Sequence, residues 1–232
     1  MTQVPLRLGV LGGTLDPVHA GHLAAAHAAA RVLSLDTVWL MPSHVPAHKA
    51  APHASAWHRF AMTALAASED DLLVASDLEL ARPGPTYTWD TLHALADEGF
   101  APSQIFFITG SDAFAGIETW HRFPEVLDAG NFAVVTRAGR GLPADVRTHP
   151  AIAARLVPAA DGASGPAELL ADRTGIWLVE AETPDVSSRV IRERILAGEE
   201  VGADVPASVA AHIRRHGLYT HSPAARCLHG ED

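Results

Sequence analysis

Of 232 residues only one, Cys227, is a cysteine. That count excludes an internal disulfide and fits a reducing compartment. Basic side chains are also scarce, with 17 Lys plus Arg against 27 Asp plus Glu and a formal net charge of −10. A balance this acidic excludes a general nucleic-acid binder, whose affinity rests on a basic surface. It does not exclude a small phosphorylated substrate, which needs only a local positive pocket. No apolar run approaches the roughly 18 residues of a membrane span, and no charged n-region with a following apolar h-region opens the chain. The expectation is a cytoplasmic protein without a membrane partner. No internal repeat is present. What remains is a globular composition, 48% hydrophobic and 19% charged, long enough for one α/β domain or a domain with a small appendage.

Short apolar runs at 6–11, 37–41, 72–75, 105–109, 132–136 and 176–179 read as buried strands. Helical patterns fall between most of them, at 21–33, 55–67, 88–96 and 124–127. This alternation predicts a parallel sheet with helices on both faces and ligands at the carboxyl ends of the strands. The α/β nucleotide-binding part is expected over 1–185. Within it, the Gly-, Ala- and Pro-rich segment 138–175 reads as a crossover with a weak helix near 150–156 and a mobile stretch at 159–166. A small C-terminal helical part of the same domain follows over 186–220, with helices at 187–196 and 206–216, and the unpatterned tail 221–232 is expected to be disordered.

The chemistry concentrates in Gly12-Gly13-Thr14-Leu15-Asp16-Pro17-Val18-His19-Ala20-Gly21-His22, between the first strand and the first helix. Two glycines allow a tight turn and close approach to a ligand, and free N–H groups at a helix start favour an anion. His19 and His22 fall on one side of the first helical turn, where both can donate to one phosphate chain. A zinc site or a polar helix face explains His-x-x-His alone but not the whole string.

Five further constellations lie downstream. Ser43, His44 and Lys49 sit in a proline-stiffened loop that can present an ammonium group to a phosphate, or that is simply a solvated surface loop. The histidines at 44, 48, 53 and 58 lack a cysteine partner and are broken up by prolines, which disfavours structural zinc. Thr88 reads as the N-cap of a helix whose first-turn N–H groups suit a carboxylate, although capping alone would explain it. Gly110 and Asp112 end a strand where a carboxylate can accept from ribose hydroxyls, and an indole at Trp120 can stack on a flat ring or pack in the core. Ser187, Ser188 and Arg192 form a second helix-start cradle for phosphate, or a serine cap beside a solvated arginine.

The Gly12–His22 string resembles the Gly-Gly-Thr-Phe-Asp-Pro-x-His-x-Gly-His signature of the HxGH nucleotidyltransferases, with Leu15 in place of Phe. The 42–49 loop resembles Pro-x-x-x-Pro-Pro-His-Lys of bacterial nicotinate-nucleotide adenylyltransferases, with Ser43 and His44 where many members carry Asn and with Ala47 for the second Pro. Thr86-Tyr87-Thr88 matches their Ser-Tyr-Thr, and 186–192 their Ile-Ser-Ser-Thr-x-Ile-Arg except at Val186 and Arg189. The matches run in family order from residue 8 to about 219. The resemblance implies a Rossmann-like nucleotidyltransferase fold and transfer of AMP from ATP to nicotinate mononucleotide, giving nicotinate adenine dinucleotide and pyrophosphate in NAD biosynthesis. It implies ATP binding by Gly12, Gly13, Thr14, His19, His22, Gly110, Asp112, Ser187, Ser188 and Arg192. Mononucleotide contacts are implied at Asp16, Ser43, His44, Lys49, Thr88, Trp120 and His121, with the Thr88 and His121 backbone N–H groups on the nicotinate carboxylate. His19, His22, Lys49 and Arg192 are the implied catalytic groups, with Mg²⁺ bridging phosphates and no protein-bound metal. Nicotinamide mononucleotide and phosphopantetheine are the rival acceptors, and a zinc hydrolase is the rival class. Whether the chain forms a homo-oligomer stays open.

Overall fold

The computed structural model describes residues 6–46, 51–82, 84–137, 141–157 and 173–220. In chain order the strands are β1 (Leu8–Gly13), β2 (Thr37–Pro42), β3 (Val45–Pro46), β4 (Leu73–Ala75), β5 (Pro85–Thr86), β6 (Ile105–Gly110), β7 (Asn131–Arg137), β8 (Leu156–Val157) and β9 (Ile176–Ala181). The helices are α1 (Ala20–Leu33), α2 (Ala56–Ala67), α3 (Thr88–Asp97), α4 (Ser111–Phe114), α5 (Ala144–Thr148), α6 (Pro150–Ala153), α7 (Ser188–Leu196) and α8 (Ala207–Arg215). Seven strands form one sheet in the order β4-β2-β1-β6-β7-β9-β8, with every pairing parallel. β3 and β5 pair separately beside it.

Parallel strands need both faces covered, and the side-chain alternation along them does this. Phe106 and Ile108 of β6 enter one apolar cluster, with Ala26 and Leu33 of α1, Met62 of α2, Ile191 of α7 and Ile213 of α8. Their neighbours Ile105 and Phe107 enter the other, with Leu92 and Leu95 of α3, Phe114 of α4 and Ile152 of α6. The C-terminal helices therefore share the core of the sheet. Among the described residues no helix is long and apolar enough to cross a membrane.

Chain direction positions the site. From β1 the chain crosses to β2 on one side, whereas β6 lies on the other, so a switch of winding direction falls between β1 and β6. Crevices open at the carboxyl ends of strands at such a point. Gly13 ends β1 and Gly110 ends β6 there.

The differences from the sequence reading are local. The helix expected over 150–156 stops at Ala153, because Leu156 and Val157 pair with Ile176 and Trp177 as an edge strand. α5 was not expected. The expected helix at 124–127 is a 3₁₀ turn over Glu125–Asp128, held by a Leu127 N–H to Pro124 carbonyl bond at i+3 spacing. The stretch 159–166 and the tail 221–232 lie outside the described residues.

Candidate active site

The glycines of the first motif do not make its turn. Gly12 and Gly13 remain in β1, paired with Met41 and Pro42 of β2, and the left-handed residue is Leu15 at φ 47. Such a φ is costly for a branched side chain, and Leu15 is held in it by packing, being 1% exposed. Gly12 is needed for space instead: a Cβ there would lie 3.2 Å from the Phe107 ring. A larger residue would crowd the floor of the crevice.

The loop ends at His19, the N-cap of α1 with an extended backbone (φ −148, ψ 170), and the helix start at Gly21 and His22 lines the crevice, the Ala20 and Gly21 N–H groups having no intrahelical acceptor. The His19 N–H donates to His22 Nδ1 at 3.2 Å, and the two rings lie 3.7 Å apart at their centroids. A nitrogen that accepts carries no proton, so neutral His22 bears its hydrogen on Nε2. That atom is the one able to donate to a phosphate. His19 is 7% exposed, and burial pushes its pKa down to about 4 against an opposing pull from Asp204. Its imidazole is therefore neutral at pH 7. Below pH 6.5 the unfolded chain takes up a proton that folded His19 refuses until about pH 4, so this group's contribution to stability falls across that window as the medium acidifies.

A crevice of about 940 Å³ runs along the switch point. It is lined by Gly12, Gly13, Thr14, His19 and His22 from the first motif, by Gly110 and Asp112 after β6, and by Ser187, Ser188 and Arg192 at the start of α7. All ten residues expected around ATP thus come together. The α7 hydroxyls are partly engaged by the chain: Ser187 Oγ caps α7 by accepting from the Val190 N–H at 3.3 Å, and Ser188 Oγ donates to the Pro17 carbonyl at 2.9 Å. Arg192 Nη1 donates to the Asp16 carbonyl at 2.6 Å. These bonds fasten the α7 start to the histidine loop, and of the α7 first-turn N–H groups the Val190 N–H is taken by the Ser187 cap, while those of Ser188 and Arg189 have no intrahelical acceptor.

The residues expected around the mononucleotide are more scattered. Asp16 lines the crevice, but its carboxylate is occupied: Oδ2 accepts from the His53 N–H at 2.7 Å, and Oδ1 from the Ala54 N–H at 3.2 Å and the Tyr219 hydroxyl at 2.7 Å. Ser43 is buried and its Oγ has no partner among the described residues. The His44 N–H donates to Thr86 Oγ1 at 3.2 Å, joining the β2–β3 loop to β5. Thr88 is the first residue of α3 and not its cap, which is Tyr87 in extended conformation, because the Tyr87 carbonyl takes the first helical bond from Thr91 N–H. The shift leaves the Thr88 N–H without an intrahelical acceptor. Tyr87 packs on His121 with ring centroids 4.6 Å apart, which brings the start of α3 beside His121. Trp120 is half-buried and meets Phe107 edge to face at 6.1 Å. Lys49 lies outside the described residues.

Three residues to which the sequence reading gave no role stand behind this site. Arg59, 1% exposed, reaches under both loops from α2. Tyr219 anchors Asp16, and burial together with that carboxylate pushes its phenol well above the usual range. Glu79, 4% exposed, accepts from Thr91 Oγ1 at 2.8 Å, and burial raises its pKa to about 7. One signal was legible: Arg59 falls on the 59, 62, 63, 66, 67 face of α2, where an apolar residue is expected. Nothing local marks Tyr219, whose partner is 203 residues away in the chain.

Glu79 carries a pH prediction. The unfolded carboxyl ionises above pH 4.5, whereas the folded one keeps its proton to about 7, so stability from this group is complete below 4.5 and lost as the pH rises through 7. Glu79→Gln is expected to melt higher than the parent at pH 8.5, by a margin worth about 1–3 kcal/mol, and to melt at nearly the same temperature at pH 5. Thermal unfolding at the two pH values reads the difference, and an equal shift at both would contradict it.

A parallel sheet with an anion-binding crevice at its winding switch, entered by two helix N-termini, defines a protein built to bind nucleotides. Over residues 10–194 the chain matches the cytidylyltransferase-like family. A protein of Pseudomonas syringae pv. tomato named "Probable nicotinate-nucleotide adenylyltransferase" is 38% identical to it over 220 residues, 94% of this chain and 96% of that protein. One of the same name from Roseiflexus sp. is 35% identical over 222 residues, 94% and 100% of the two chains. The solved structure of Plasmodium falciparum nicotinic acid mononucleotide adenylyltransferase complexed with NaAD shares the fold with a TM-score of 0.69, covering 94% of this chain and 99% of that one at 14% identity. The chain belongs to the cytidylyltransferase-like family and, within it, to the nicotinate-nucleotide adenylyltransferases.

Proposed function

We infer that this chain transfers the adenylyl group of ATP to nicotinate mononucleotide, releasing pyrophosphate and forming nicotinate adenine dinucleotide for NAD biosynthesis. The observation that carries the reading is the single crevice lined by His19, His22, Asp112, Ser188 and Arg192 at the switch between β1 and β6. The identity to the adenylyltransferases over nearly the whole chain supports the acceptor.

The chemical task is to bring a phosphate oxygen of the mononucleotide in line with the α-phosphorus of ATP. A new phosphorus–oxygen bond forms as the bond to the bridging β-oxygen breaks and pyrophosphate departs. The attacking phosphate is already ionised, so no protein nucleophile or strong base is required, and orientation alone supplies about 7–11 kcal/mol. His22 Nε2–H and the α1 first-turn N–H groups donate to the triphosphate and to charge that grows on the α-phosphoryl oxygens. Arg192, with Lys49 from the acceptor loop, balances the phosphates that meet and part. Asp112 accepts from ribose hydroxyls. Asp16, saturated by its own chain, serves the acceptor side by holding the 53–54 backbone in place. Thr88 and His121 offer backbone N–H groups to the nicotinate carboxylate, and Trp120 offers an indole to the pyridine ring. Ser43 and His44 present the β2–β3 loop to the mononucleotide phosphate.

Mg²⁺ enters with ATP as part of the substrate. Among the described residues no group of three or more His, Cys, Asp or Glu is placed to hold a metal ion. Mg²⁺ commonly binds through substrate phosphate oxygens and water, and the proposed reaction uses it in that way. The reducing cytoplasm, in keeping with a single cysteine, is the proposed location.

Pyrophosphate release from ATP, assayed with one acceptor at a time, tests the reading. Release is expected with nicotinate mononucleotide and not with phosphopantetheine. Tight ATP binding without release in any mixture would replace the transferase by a nucleotide-sensing module.

A further inference from the structure

We propose that Arg59 is a positioning residue that keeps the ATP half and the acceptor half of the crevice in register. The proposal rests on the adenylyl-transfer reading and adds a residue to it. Arg59 is buried on the apolar face of α2 with Met62, Thr63 and Ala66. Burying a guanidinium there is costly, and a methionine would fill the volume without that penalty. Its cost has to be matched by what its hydrogens do.

They go to backbone carbonyls of two different loops. Nη1 donates to the Thr14 carbonyl at 2.9 Å and to the Ser43 carbonyl at 2.6 Å, and Nη2 donates to the His44 carbonyl at 3.1 Å. Thr14 follows β1 and faces the ATP crevice, whereas Ser43 and His44 follow β2 on the acceptor side. Among the described residues the buried Nε has no partner and no carboxylate forms an ion pair with the guanidinium. Asp16, Tyr219 and Glu79 act on it only through space. The positive charge is thus left partly uncompensated beneath a site for two polyanions.

Apart from Arg59, the bond between these loops among the described residues is Ser43 N–H to the Gly13 carbonyl at 2.8 Å. Each half-site keeps its own scaffold without Arg59: Gly12 and Gly13 are paired in the sheet, and His44 is tied to Thr86. What would change is the offset between the halves. In-line attack needs the reacting atoms about 3–3.5 Å apart, and a 1 Å displacement can cost about a hundredfold in rate. Lysine keeps the charge but has one nitrogen and no planar fork, so it cannot span all three carbonyls in this geometry.

The test compares wild type with Arg59→Lys and, as a second variant, Arg59→Ala given methylguanidinium at tens of millimolar. Binding of a non-hydrolysable ATP analogue and of nicotinate mononucleotide is measured separately by calorimetry, and turnover by pyrophosphate release. The R59K protein is expected to bind each ligand within about threefold of wild type while kcat falls about 30- to 100-fold. Methylguanidinium is expected to restore R59A turnover at least tenfold, and methylammonium is not. Amide exchange reads loop order without turnover: residues 43–45 are expected to exchange at least tenfold faster in R59K, with 10–13 unchanged. Turnover of R59K within threefold of wild type, weakened binding of both ligands at constant kcat, unchanged exchange, or failure of both variants to fold at 15 °C would each overturn the proposal. A wild-type protein that releases no pyrophosphate overturns the adenylyl-transfer reading instead, and the exchange comparison still decides what Arg59 holds.

Discussion

His22→Ala is expected to lower kcat about 10²- to 10³-fold while KM for ATP moves by no more than about threefold. The reason is the geometry of one hydrogen bond. His22 Nδ1 accepts from the His19 N–H, so Nε2 carries the hydrogen and is aimed by the helix that bears it. A donor fixed before the reaction begins stabilises the charge that develops on the α-phosphoryl oxygens at little reorganisation cost, so its loss falls on the transition state. In the proposed binding mode ATP keeps other anchors, the helix starts of α1 and α7 and Arg192, so ground-state binding is expected to be little affected. Steady-state kinetics of the variant separates the two terms. A rise in KM at constant kcat would assign His22 to binding alone. His22→Asn should recover part of the loss, because its side-chain oxygen can accept from the His19 N–H while its amide donates outward. His19→Ala is the milder change, since a neutral, 7% exposed imidazole has less to give a phosphate than one that opens on the crevice.

The second large effect is discrimination between acceptors. Nicotinate mononucleotide is expected to exceed nicotinamide mononucleotide in kcat/KM by about 10²- to 10⁴-fold. The start of α3 lies beside His121 through the Tyr87–His121 ring contact, and Thr88, as first helical residue, has an N–H that the helix cannot satisfy. In the proposed reading the Thr88 N–H and the His121 N–H pair with a carboxylate in charge-assisted bonds, each stronger than the same bond to a neutral amide by about 1 kcal/mol or more. An amide also brings its own N–H hydrogens against them. Parallel kinetics with the two mononucleotides measures the ratio, and a value near one would show that the acid is not read at this helix start. Thr88→Ala should leave the ratio unchanged, because the donor is backbone; Thr88→Pro, which removes it, should collapse the preference.

How much of this was legible along the chain differs by level. The strand cores were visible as apolar runs because a parallel sheet buries both faces, and β1, β2, β6, β7 and β9 lie within about two residues of the runs that announced them. Helix ends were less sharp: α1, α2 and α7 begin one residue from expectation, and Tyr87 takes the cap expected of Thr88. The short strand β8 escaped because two residues carry no period of their own, and only pairing with β9 makes them a strand.

The nucleotide half of the site was readable because its parts are local: a glycine-ended strand, a histidine at a helix cap and a serine at another are each encoded within about ten neighbouring positions. The order of the strands, and with it the meeting of residues 12–22 with 187–192, was fixed only when distant runs packed on one another. So were the partners of buried polar groups. Arg59 finds its carbonyls 15 to 45 positions away, and Asp16 is saturated by His53 and Ala54, 37 and 38 positions on, and by Tyr219, 203 positions on. Secondary structure and cradle chemistry follow from periodicities and backbone groups that neighbouring residues share. Which buried charge meets which acceptor depends on long-range closure, since desolvation penalises every arrangement but the one in which the polar atoms find each other.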